Sequence, residues 1–125
     1  MVGAYPLIFP RLRRGPLPLP MGEENMSVIL AGTVRFDPAR LEQSRPRMKE
    51  MMRLSQAEDG CIAYTYAEDL GTPGLIHIFE VWRDADALHA HHNAPHFLAW
   101  RADRETLGMS DRRMSRYEVS SSQET

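Results

Sequence analysis

Two hydrophobic periods alternate along this chain, and they change at identifiable residues. Ser27 to Phe36 (SVILAGTVRF) is rich in β-formers and predicts a first strand. Asp37-Pro38 follows, an N-cap residue with proline at the first helical position. Leu41, Met48, Met51, Met52 and Ser55 then recur at near-helical spacing towards Asp59-Gly60. Pro46 is expected to kink or split this helix, because it removes a backbone donor and crowds the preceding turn; Gly60 is placed to end it. Cys61 to Glu68 alternates as a second strand, with Ile62, Tyr64 and Tyr66 on one face and Cys61, Ala63 and Thr65 on the other. After turn chemistry at Gly71-Thr-Pro-Gly74, Leu75 to Trp82 reads as a third strand. Asp84 caps a short helix reaching about His92, and Pro95 breaks it. A further helical piece runs from Pro95 to about Leu107, with Phe97, Leu98, Arg101 and Leu107 as spaced positions, and Gly108 stops it. Arg112 to Val119 alternates as a fourth strand.

The order β-α-β-β-α-β is the ferredoxin-like plan of an α+β domain, a four-stranded antiparallel sheet with helices on one face. In the third strand Ile76, Ile78, Glu80 and Trp82 share one face, while Leu75, His77, Phe79 and Val81 share the other. Both faces are largely apolar, yet the chain has helices for only one. A second copy is therefore expected to cover the other, making a homodimer.

Length and charge narrow the class. The 125 residues allow one domain, assigned to residues 26–120, with a polar tail at 121–125. Residues 1–25 hold five of the nine prolines and no hydrophobic period, and read as a flexible arm. In that arm Arg11, Arg13 and Arg14 follow the apolar residues rather than precede them, which argues against a secretory signal. No run approaches the roughly 18 apolar residues of a membrane span. Fifteen basic against seventeen acidic residues, a net charge of −2, gives no bulk attraction to nucleic acid or anionic membrane. The one cysteine, Cys61, excludes an internal disulfide, fits a cytoplasmic setting and reads as structural.

The candidate chemistry gathers around the third strand and the helix break. His91 falls on the inward side of its helix, three residues after Leu88, and His96 lies just beyond the break. Either suits a general base, because imidazole is half-neutral near working pH; the competing reading is that both only hold the break in shape. Trp82, Tyr64, Tyr66 and His77 are the candidate substrate-binding residues, aromatic or polar groups able to line an apolar cavity, though tryptophan and tyrosine more often serve as core. Glu80 needs a partner if buried, with Arg112, Arg113 and Arg116 as candidates. His89 and His92 share a helix face with Asp86, a spacing that metals use, but only His77 is left to complete the set; solvated histidines and no metal are expected. Glycine-rich phosphate loops, nucleophile elbows and paired-carboxylate motifs do not occur.

Glu58-Asp-Gly60-Cys61 leading into a strand, Phe79-Glu-Val-Trp82, Ala87-Leu88 with His91, and Pro95-His96-Phe97 together resemble the antibiotic biosynthesis monooxygenase family over about residues 27–119. The resemblance implies a dimeric α+β barrel with a pocket between sheet and helices in each subunit. It also implies oxidation of a small aromatic, quinol-type molecule by dioxygen without a cofactor, with His91 or His96 as base and Tyr64, Tyr66 and Trp82 shaping the pocket. The alternative within the same family is a non-catalytic domain that binds a small molecule. Haem-degrading relatives place an asparagine in the first strand, and a tryptophan and an axial histidine around the second helix. By spacing from Trp82 those last two positions hold His91 and Arg101, and no asparagine occurs between Ser27 and Phe36, so haem degradation is disfavoured.

Overall fold

Strand β1 (Ser27–Phe36) leads through a 3-10 turn (Pro38–Arg40) into α1 (Leu41–Gln56). Strands β2 (Cys61–Glu68) and β3 (Leu75–Trp82) follow, then α2 (Ala85–His92), α3 (Pro95–Ala102) and β4 (Met109–Val119). This computed structural model describes residues 26–125; the arm expected over residues 1–25 lies outside them. The strands form one antiparallel sheet in the order β2-β3-β1-β4, the ferredoxin-like arrangement expected from the sequence. Among the described residues no helix is long and apolar enough to cross a membrane.

The helices press on one sheet face. Val28, Ile76, Trp82 and Tyr64 from the strands meet Leu41, Met48, Met51, Leu88, Phe97 and Trp100 from the helices, all buried. Asp37 caps the start as expected, its carboxylate accepting from the Ala39 amide at 3.0 Å, but the first turn is 3-10 and the α-helix begins at Leu41. Pro46 does not split α1. Its missing donor frees the Glu42 carbonyl, and both residues are exposed, so water can take that acceptor. Gly60 stands beyond the end of α1, in a turn with φ +86°; a β-carbon there would crowd the Ala87 side chain on α2.

Two further boundaries and the side-chain parity of one strand differ from the sequence expectation, each for a local reason. Helix α3 stops at Ala102 rather than near Leu107, because the Asp103 amide turns back onto the Ala99 and Trp100 carbonyls. Its buried positions are Phe97 and Trp100, three apart, whereas Leu98 and Arg101 face water. Strand β4 starts at Met109, hidden in the sequence by the polar run Ser110 to Arg113. In β2, Cys61 lies opposite Trp82 and Ala63 opposite Val81, so Ile62 is an extra residue in a bulge. The bulge turns Cys61 onto the helix-covered face with Tyr64, where it is buried, instead of onto the Ala63 face.

The opposite face has no covering element among the described residues. Ile29 lies between Val81 and Tyr117, and Ala31 beside Phe79; Phe79 is 45% exposed and Tyr117 54%.

Candidate functional site

A cavity of about 140 Å³ opens on the helix-covered side of the sheet, between the strands, α3 and the start of β4. Its apolar wall comes from Val34 and Phe36 of β1, Ile78 of β3, Phe97 and Trp100 of α3, and Met109. Its polar groups are Tyr64, Tyr66, Glu80, Arg104, Ser110, Asp111 and Arg112. The alternation of β2 and β3 explains the first three, because Tyr64 lies opposite Glu80 and Tyr66 opposite Ile78 on the same face.

Tyr64 and Tyr66 share a hydrogen bond between their hydroxyls at 2.7 Å, and the Tyr66 ring stacks on Trp100 with centroids 5.8 Å apart. Burial raises both phenol pKa values well above the ordinary range, so both hydroxyls stay protonated and can act as donors. Glu80 is only 5% exposed. Its Oε1 accepts from the Trp82 indole N–H at 2.9 Å, rather than from any of the β4 arginines proposed as partners. Arg113 pairs instead with Asp111, and Arg116 with Glu118. Burial raises the Glu80 pKa, and the Trp82 hydrogen bond, the nearby His91 and Arg112 offset this in part. A carboxyl so placed is a stronger base than an exposed one.

Behind the cavity wall lies a second cluster. Oε2 of Glu58, in the turn after α1, accepts from His91 Nδ1 at 2.6 Å and from His96 Nε2 at 2.7 Å. His91 is 1% exposed, and its ring packs on Trp82, Phe97 and Tyr64 with centroids 4.5, 5.0 and 5.4 Å away. Its Nε2 is buried without a partner among the described residues. Glu58, His91 and His96 also have donor atoms within 4.8 Å of one another, the chemistry of a two-histidine, one-carboxylate metal set. Both nitrogens, however, address a single oxygen at hydrogen-bond distance, the geometry of two N–H donors sharing one acceptor. His89, His92 and Asp86 form no such group.

The sequence-selected residues are thus divided. Tyr64 and Tyr66 line the cavity; Trp82 holds Glu80 in place; His91 touches Tyr64 and Phe97 from behind. His96 opens onto a shallow groove between α1 and α3. His77, expected among the substrate-binding residues, lies on the opposite sheet face, exposed and bonded to Asp69 at 2.8 Å. Cys61 is buried, and its thiol pKa is pushed up to about 12, chiefly by burial, consistent with an inert structural thiol.

Sequence reasoning missed Glu80, Trp100 and Arg104 as cavity residues. The signal for Glu80 was present, since it is the one acid on a strand face otherwise formed by Ile76, Ile78 and Trp82. Arg112 reaches the cavity through a bulge. Thr33 pairs with Arg113 and Arg35 with Ser110, so Asp111 and Arg112 together face Val34. Asp111 takes φ +48°, a left-handed conformation that aspartate tolerates.

Comparisons agree with this architecture. Residues 27–103 match the family described as antibiotic biosynthesis monooxygenase. An uncharacterized protein, sll1783, of Synechocystis sp. is 31% identical over 70 residues, which span 56% of this chain and 48% of that relative. The match thus covers about half the length of the relative. An antibiotic biosynthesis monooxygenase candidate from Deinococcus radiodurans superimposes with a TM-score of 0.73 at 26% identity, covering 78% of this chain and 97% of its own. A conserved protein of unknown function from Bacteroides thetaiotaomicron gives 0.69 at 27% identity, covering 76% and 99%. PA3566 from Pseudomonas aeruginosa gives 0.69 at 26%, covering 78% and 98%.

Proposed function

We propose, from the premise that the chain belongs to the antibiotic biosynthesis monooxygenase family, that its cavity oxidises a small phenolic or quinol-type ring with dioxygen, the protein itself supplying the base and the enclosure. The observation that carries the reading is the buried Glu80 carboxyl facing an aromatic-walled cavity. A space of this size accepts a single ring, since cavities of about 150 Å³ hold benzene.

Each residue has a definable task. Phe97, Trp100 and Ile78 clamp the ring and exclude water. Glu80, held by Trp82, accepts the phenolic proton. The resulting phenolate is electron-rich enough to pass an electron to dioxygen, and recombination of the radical pair forms the carbon–oxygen bond. Loss of water then leaves the product: a quinol plus dioxygen gives a hydroxyquinone plus water, and the ring supplies all the electrons that dioxygen takes up. The Tyr64–Tyr66 pair stabilises negative charge on oxygen as it develops. His91 and His96 are assigned to holding the helix break through Glu58, and Glu80 to the role of base. The bare sheet face around Phe79 and Tyr117 is assigned to a second copy of the chain.

Oxygen-electrode measurements with a panel of single-ring quinols test the proposal. Saturable uptake is expected with the wild type and with His96→Ala. Tight binding of the same compounds without uptake would favour the non-catalytic reading, and His96→Ala losing uptake while folded would return the base role to the histidine cluster.

A further inference from the structure

The two arginines at the cavity, Arg104 and Arg112, form no ion pair among the described residues. Every other described arginine except Arg101 reaches a carboxylate within ion-pair distance. Arg101 lies over the Phe97 ring at 5.8 Å. Among the described residues, Arg104 and Arg112 have no acid within that range. Burial, and then the charges of Arg112 and Arg101, lower the Arg104 pKa, so like charges bear on one another there.

The acids of the cavity do not cancel this charge. Asp111 lines it, but its carboxylate is held by Arg113 at 2.9 Å and by Arg35 at 3.5 Å. Glu80 is engaged by the Trp82 indole N–H and forms no ion pair with either arginine among the described residues, although Arg112 is near enough to offset part of its raised pKa. The backbone also goes out of its way to present Arg112. The bulge in β4 and the left-handed Asp111 place Asp111 and Arg112 together opposite Val34, and bulges of this kind re-aim side chains beside functional sites.

We propose that the cavity selects aromatic ligands carrying an anionic substituent, a carboxylate in the simplest case, received by Arg104 and Arg112 while the ring packs on Trp100 and Phe97. This rests on the cavity being the ligand site of the proposed function and names its ligand class. Guanidinium groups suit this task because their planar N–H pairs match a carboxylate.

Trp100 in the cavity wall provides a readout that does not depend on turnover. Titrations of the full chain with 4-hydroxybenzoate and with hydroquinone, followed by tryptophan fluorescence, compare charged and neutral rings directly. The expected result is about 10- to 100-fold tighter binding of 4-hydroxybenzoate at low salt, the size of a charge-assisted pair. In Arg104→Gln/Arg112→Gln the ratio should fall to near unity, with circular dichroism verifying the fold. Equal binding of the two rings by the wild type, or a preference that survives in the double variant, would overturn the proposal. Preference for the anion without oxygen uptake would sustain it while removing the monooxygenase reading, so the two failures are distinguishable.

Discussion

Replacement of Glu80 by glutamine is expected to cut oxygen uptake on a quinol by about 100-fold or more, the usual contribution of a positioned general base. The same replacement should leave the Trp82 contact in place, since an amide carbonyl can accept from the indole N–H as the carboxylate does. Its effect on stability has a sign fixed by linkage. Burial raises the folded-state pKa of Glu80 above its ordinary value of 4.5. Glu80 therefore contributes stability that is fully present below the unfolded pKa and is lost as pH rises through the folded one. Glu80→Gln removes that loss, so its melting temperature should exceed the wild type at mildly alkaline pH, and the gain should vanish in acid. Thermal melts at a series of pH values check this. A residue that costs stability near neutrality and is needed for turnover is what a functional carboxyl looks like; a variant with unchanged uptake, or with a pH-independent melting shift, would remove Glu80 from the mechanism.

The largest structural effect should come from Gly32→Val. Gly32 lies in β1 opposite Met114, and a β-carbon there would run into the backbone carbonyl of Arg113 and the Met114 α-carbon. Backbone cannot swing aside as a side-chain end can, so the β1–β4 pairing and its bulge must shift. A loss of about 3 kcal/mol or more is expected in urea unfolding, at the upper end for overpacking. Gly71→Ala is the control, because its β-carbon would meet only the Asp69 side chain at an ordinary 3.6 Å; it should stay within about 0.5 kcal/mol. Equal unfolding midpoints for Gly32→Val and the wild type would contradict the close approach.

The fold was legible wherever local chemistry and burial agree. Strands β1, β2 and β3 and helix α2 carry their period and their caps in the sequence, and the structure places them at the expected bounds. The misreadings occur where a tertiary contact or a bulge decides the outcome. Ile62 shifts the side-chain parity of β2 and so moves Cys61 to the other face. The turn at Asp103 ends α3 while its sequence still looks helical, which brings Arg104 to the cavity. For the site, Tyr64 and Tyr66 were legible from alternation and chemistry. His91 and His96 drew attention as imidazoles near a break, but the acid that claims them, Glu58, lies 33 and 38 residues away in sequence. Glu80 could be recognised only as a problem, a buried charge without a sequence neighbour to neutralise it. The structure shows that carboxyl buried at the cavity and held by the Trp82 indole.

Turnover under oxygen-18 gas with a single-ring quinol, followed by mass spectrometry of the organic product, tests the central claim most directly. A monooxygenase acting at this cavity incorporates one labelled atom into the ring and releases the other as water, and Glu80→Gln should abolish the label. An unlabelled product, or labelling that persists in Glu80→Gln, would contradict the account.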